Sequence, residues 1–190
     1  MSGFSVRLWV LSLALLAVGC VPVKVRDASD DRYVSLVGGE VVVHGDLTVA
    51  ADEARVFLQR GAVVSRSRLD LYTPSCSLEL NELGKTDQVI HADRFKILTA
   101  GAGFDESVQN GPVRVAALGA SLTGMLLSDG QDGGGPMVMH QIQMRLSSQS
   151  QPNVLQMTCR GIQDDLADVK KLTLQDMRAA LGTLVSIELP

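Results

Sequence analysis

The sequence predicts a mainly β protein: a single antiparallel β domain carrying one short helix near its C terminus. Three observations predict it. First, His140, Ile142, Met144 and Leu146 alternate with Gln141, Gln143, Arg145 and Ser147, a period of two that buries one strand face and wets the other. Second, the polar turn from Ser148 to Asn153 returns the chain through Val154 to Cys159, as an antiparallel hairpin does. Third, one helix signal stands alone, with Thr173 as N-cap, Asp176 three residues on, Leu172 and Met177 placed as a hydrophobic staple, and Gly182 as terminator.

Read from its start, residues 1–19 form an export leader. Arg7 supplies a positive charge, Leu8 to Val18 is an apolar run broken only by Ser12, and Ala17-Val18-Gly19 places small residues before Cys20. Those eleven residues of helix would rise about 16 Å against roughly 30 Å of hydrocarbon, too little for a permanent span. The expectation is removal. Leu16-Ala17-Val18-Gly19-Cys20 resembles the lipobox of bacterial lipoproteins, in which the cysteine thiol is joined to diacylglycerol and the leader is cut before it. The resemblance implies lipid attachment at Cys20, and Val21 in place of Asp implies an outer-membrane protein facing the periplasm. An ordinary secretory leader cut after the same small residues is the competing reading; the lipobox is preferred because the cysteine falls on the position it requires.

Residues 20–32 hold Pro22 and three aspartates without a periodic apolar pattern, and are expected to be a flexible tether, with the β domain covering 33–190. Asp27, Asp30 and Asp31 lack the spacing of a calcium loop and read as solvated linker. Without residues 1–19 the chain of 190 falls to 171, enough for one core, and loss of Arg7 takes the net charge from −4 to −5. Scattered, mildly acidic charge excludes a nucleic-acid stripe.

Within the domain, Val41 to His44 and Leu47 to Val49 read as one strand bent at Gly45-Asp46, and Arg55 to Gln59 as a strand ended by Gly61. Leu69 to Tyr72 leads through Thr73-Pro74-Ser75 into a strand containing Cys76. Gly84 to Asp87 is expected to join that strand as a hairpin to Val89-Ile90-His91, before Phe95 to Leu98. From Gly101 to Pro136 the pattern dissolves, with four glycines between Asp129 and Pro136. Val185, Ile187 and Leu189 alternate with Ser186 and Glu188 in a closing strand. Seven to nine strands are expected, as a small barrel or a sandwich.

Leu58-Gln59-Arg60-Gly61, the run from Asp70 to Glu79, Ala92-Asp93-Arg94-Phe95, and Leu146 to Val154 with Thr158-Cys159 resemble a family of uncharacterised gammaproteobacterial lipoproteins. That resemblance implies no activity. With Cys20 assigned to lipid, Cys76 and Cys159 remain. Each shares a strand face with leucine or methionine, and an oxidising compartment favours a disulfide between them over two buried thiols. Closing so long a loop contributes about 3 to 4 kcal/mol in the chain-entropy picture.

Catalytic chemistry finds little support. His44, His91 and His140 lie far apart without metal-ligand spacing, so no metal is expected; Asp164, Asp165 and Asp168 with Lys170 and Lys171 read as a solvated connection; and Gly130 to Gly135 lacks the strand, helix and lysine of a phosphate cradle. No cofactor is expected and the chain reads as a non-enzyme. Two roles remain. One is a structural or assembly role at the outer membrane, with the membrane held through the N-terminal lipid and an envelope protein as partner. The other is a carrier for a small apolar ligand, walled by Met137 to Met144 with 101–136 as a lid.

Overall fold

The computed structural model describes residues 23–106 and 137–190. Twelve strands are described: β1 (Lys24–Asp27), β2 (Arg32–Ser35), β3 (Glu40–Val43), β4 (Leu47–Val49), β5 (Arg55–Gln59), β6 (Ala62–Val64), β7 (Ser75–Leu80), β8 (Gln88–Ile90), β9 (Asp93–Glu106), β10 (Met137–Ser147), β11 (Val154–Asp165) and β12 (Val185–Glu188). One helix, α1 (Leu174–Leu181), precedes β12. Eight strands form one antiparallel sheet in the order β12-β3-β9-β10-β11-β7-β5-β6, curled into a half-barrel. Two short ladders, β1-β2 and β4-β8, flank it.

The curl has a local cause. Register slips at Met139/Gln141 between β10 and β11, at Arg145/Leu146 between β10 and β9, and at Val154/Gln156 between β11 and β7. Each bulge bends its strand and increases the right-handed twist, so three of them on the longest strands roll the sheet. Inside the curl lie Val56, Leu58, Leu78, Phe95, Ile97, Ile142, Met144 and Met157, none more than 3% exposed. α1 crosses this inner face and packs on β7, β5, β12 and β1. Its stripe of Leu174, Met177, Ala180 and Leu181 is buried, as its spacing demands.

α1 is built as the sequence specifies. Thr173 caps the Asp176 amide, the Asp176 carboxylate returns to the Thr173 amide at 2.9 Å, and Leu172 and Met177 are both buried. At its end, Gly182 meets the two-residue turn Arg60-Gly61 of the β5-β6 hairpin. The turn needs positive φ at both residues, 54° and 75°, and the Gly61 amide donates to the Ala180 carbonyl at 3.0 Å. A Cβ on Gly182 would fall 2.4 Å from the Gly61 Cα, so two backbones touch where side chains are excluded.

Several expectations are corrected. The flexible tether of 20–32 is ordered from Lys24 onward: β1 and β2 pair from Lys24↔Ser35 to Asp27↔Arg32, Val25 is 2% exposed, and the domain begins before Tyr33. A strand this short gains its order from the burial of Val25 and from Asp27, which bonds Ser29 and Gln175 of α1. Val41 to Val49 is not one bent strand, because β3 joins the main sheet and β4 leaves it to pair β8. β7 and β8 form no hairpin, since β7 is claimed on both sides by β5 and β11. β9 continues to Glu106, beyond Gly101. The expected mainly β, antiparallel domain with one short C-terminal helix is what forms, and among the described residues its main sheet is an open half-barrel. Cys20, expected to carry lipid, the expected leader of residues 1–19, the glycine run 130–135 and most of the 101–136 segment lie outside the described residues.

Candidate functional site

A concavity of about 500 Å³ opens between the β1-β2 hairpin, β9 and β10, and the segment entering α1. Its floor is Val25, Ala102 and Ile142, with Leu172 beside them; its rim carries Lys24, Arg26, Lys170 and Lys171. Asp176, the carboxylate in its lining, is occupied by the cap of α1. Arg26 is paired to Asp31 at 2.7 Å, and that pair is exposed. Tyr33 stands at the edge, 63% exposed.

His140 forms part of the wall. Its Nδ1 accepts from the Leu172 amide at 3.2 Å, and its ring meets Phe104 edge to face at 5.4 Å between centroids. Burial, with the nearby charge of Lys171 adding to it, holds the imidazole pKa below its ordinary value, so the ring stays neutral and keeps Nδ1 as an acceptor. Asp27 anchors the hairpin: bonds from the Ser29 hydroxyl, the Gln175 amide and the Ser29 backbone lower its pKa to about 2.

The structure does not bring the three histidines together. His44 bonds Ser186 at 2.9 Å at the β12 edge, His91 faces Asp46 at 3.2 Å, and His140 lies under Leu172. Nor do the aspartates of the first hairpin converge, because Asp30 pairs with Arg32 and Asp31 with Arg26. Asp164 and Asp165, expected in a connection, end β11 instead. Cys76 and Cys159, by contrast, meet as directly opposed residues of β7 and β11, Cα to Cα 4.0 Å, and are joined in a disulfide buried in the core.

A second, smaller hollow of about 180 Å³ lies on the outer face beneath residues 66–73. There Phe57, Ser77 and Thr158 are buried in register across β5, β7 and β11. Gln59 pins the covering loop, its Nε2 donating to the Asp70 and Thr73 carbonyls at 2.9 Å and its Oε1 accepting from the Asp70 amide at 3.1 Å. Asp93 does the same elsewhere, accepting from Ser148 at 2.6 Å, from Ser150, and from Gln151 at 3.2 Å. Segments 58–61 and 70–76, and 92–95 and 146–151, are thus clamped to one another by these polar contacts.

Sequence reasoning missed the basic groove. Its one local signal is the adjacent pair Lys170-Lys171, which resembles any solvated turn until β1 is known to stand opposite. No helix among the described residues is long and apolar enough to cross a membrane. No family model, curated protein or solved structure matches the chain.

Proposed function

We propose that this chain is a lipid-anchored envelope protein, acylated at Cys20 on the periplasmic side of the outer membrane, whose β domain serves a structural or assembly role by binding another envelope protein. The observation that carries the interaction role is the open sheet. Among the described residues β12 and β6 end it without a further partner strand, which leaves backbone donors and acceptors for an added strand. Val63 on β6 is 49% exposed, and Ser186 on β12 is half-buried.

The compartment is supported from two sides. A buried disulfide suits an oxidising space. The leader would be cut before Cys20, four residues ahead of β1, so an acylated cysteine would hold the domain close to the bilayer. The carrier role has less to stand on. Met144 lies in the inner core while Met139 lines the hollow on the outer face, so the methionines of β10 form no single wall, and α1 fills the curl of the sheet.

Two measurements test the reading. Blocking the lipoprotein signal peptidase with globomycin is expected to accumulate a precursor larger than the mature chain; an unchanged mass removes the anchor. A photo-crosslinking residue at Ser186 or Val63 in intact cells is expected to give a discrete heterologous adduct that the same residue at Lys85 does not. Equal patterns at all three positions would remove the edge-pairing role.

A further inference from the structure

We infer that the basic groove between the β1-β2 hairpin and the Lys170-Leu172 segment is the face that this domain lays on an anionic bilayer, with its lysines against phospholipid phosphates. The inference rests on acylation of Cys20 as proposed above, and the experiment below separates the two.

Charge is the first argument. Three of the chain's five lysines, Lys24, Lys170 and Lys171, converge on this groove from opposite ends of the sequence, and all three are exposed. They do so in a chain of net charge −4, so the concentration runs against the composition. The carboxylate that shares the lining, Asp176, faces its own helix cap. Lysine suits a phosphodiester: it is a compact point charge on a flexible stem, able to follow mobile headgroups.

Position is the second. Val23 lines the groove and Cys20 precedes it by three residues, a span of at most about 11 Å even when fully extended. That is close to the roughly 8 Å Debye length at physiological ionic strength, so a cysteine fixed in the bilayer keeps these lysines where an anionic surface still attracts them. Tyr33 adds an exposed ring with a polar tip at the same rim, the side chain favoured at membrane interfaces.

The test uses the mature protein extracted from membranes and reconstituted in vesicles of phosphatidylcholine alone or of phosphatidylcholine with phosphatidylglycerol. Amine labelling, read peptide by peptide, is expected to slow at Lys24, Lys170 and Lys171 on the anionic vesicles only. Lys85 and Lys96 should label equally on both. The variant carrying Lys170→Glu and Lys171→Glu, both at exposed positions, should lose the protection at Lys24, since each cation near such a surface contributes about fivefold to partitioning. Equal labelling of the groove lysines on the two vesicle types overturns the inference. So does protection produced by inorganic phosphate alone, which would assign the groove to a soluble anion. The mass of the peptide bearing Cys20 reports acylation independently: an unacylated chain that still shows the protection on added anionic vesicles would remove the anchor and keep the docking face.

Discussion

Individual side chains hold this fold at a few polar positions, and their protonation makes its stability depend on pH. Asp93 gathers the Ser148 and Ser150 hydroxyls, the Arg94 amide and Gln151, and these bonds lower its pKa from 3.8 to about 2. An acid depressed in the folded state contributes fully above the unfolded pKa and loses that contribution as pH falls through the folded one. The Asp93 contribution is therefore complete above about pH 4 and gone near pH 2, and Asp27 follows the same course. Asp93→Asn should cost about 1 to 3 kcal/mol at pH 7, read from urea midpoints, and make the decline between pH 4 and 2 shallower than in the parent. His140 acts higher on the scale. Its folded pKa lies below 6.5, so stability falls as pH drops under that value, where the unfolded chain takes up a proton the folded one resists. His140→Asn, which can still accept from the Leu172 amide, should flatten the melting temperature between pH 7.5 and 5.5; an unchanged slope would assign that limb to another group. Gly182 is a steric case. Its φ of 60° and the 2.4 Å approach to Gly61 mean that Gly182→Ala should destabilise by about 2 to 3 kcal/mol, while Gly45→Ala, with nothing within 4 Å, should stay within about 0.5 kcal/mol.

Elements were legible where their signal is local. The α1 cap, staple, stripe and terminator lie within eleven consecutive residues, Leu172 to Gly182, and the structure forms all of them. β10 was legible because from Ile142 to Ser147 one face is buried and one wet, and β5 because Gly61 supplies the positive φ its turn demands. The first hairpin was illegible for an opposite reason. Arg26, Asp30, Asp31 and Arg32 are exposed and charged, and the order of β1 comes from Val25 and from the Asp27 bond to Gln175, 148 residues away. No window of sequence contains that contact. β4 and β8 are strands where their apolar pattern predicts them, but their pairing was illegible because strands of three residues carry no partner information, and the partner is set by which neighbours are already taken. The capping box gives an element-scale prediction. Thr173→Ala should cost about 1 kcal/mol, and Met177→Ala, at 0% exposure, about 2 to 5 kcal/mol; circular dichroism melts should rank them in that order, and a reversed order would deny α1 its place in the core.

At the scale of the whole molecule the sheet is two blocks joined along one seam. β9, β10 and β11, a meander of long strands with β3 and β12 beyond β9, form the larger block, β5, β6 and β7 the smaller, and within the sheet the two meet where β11 pairs β7. The Cys76–Cys159 disulfide lies on that seam, joining residues 83 apart in sequence, and α1 packs on β5 and β7 from inside. The pairing was readable from the even cysteine pair and the strand pattern around each, whereas the neighbouring of β7 and β11 was not, because it depends on every strand between them. A bridge closing so long a loop contributes about 4 kcal/mol, chiefly by restricting the unfolded chain. Reduction should therefore lower the urea stability by about that amount. Its location adds a sharper expectation, since stability is distributed unevenly through a fold. After reduction, amides of β5 and β7 should exchange hydrogen faster before those of β9 and β10, because the long ladders of the meander hold one another while the smaller block has only its own short β5-β7 and β5-β6 ladders, the seam with β11, and α1. Uniform acceleration across both blocks would mean that the bridge acts on the unfolded state alone and that the seam is held by packing.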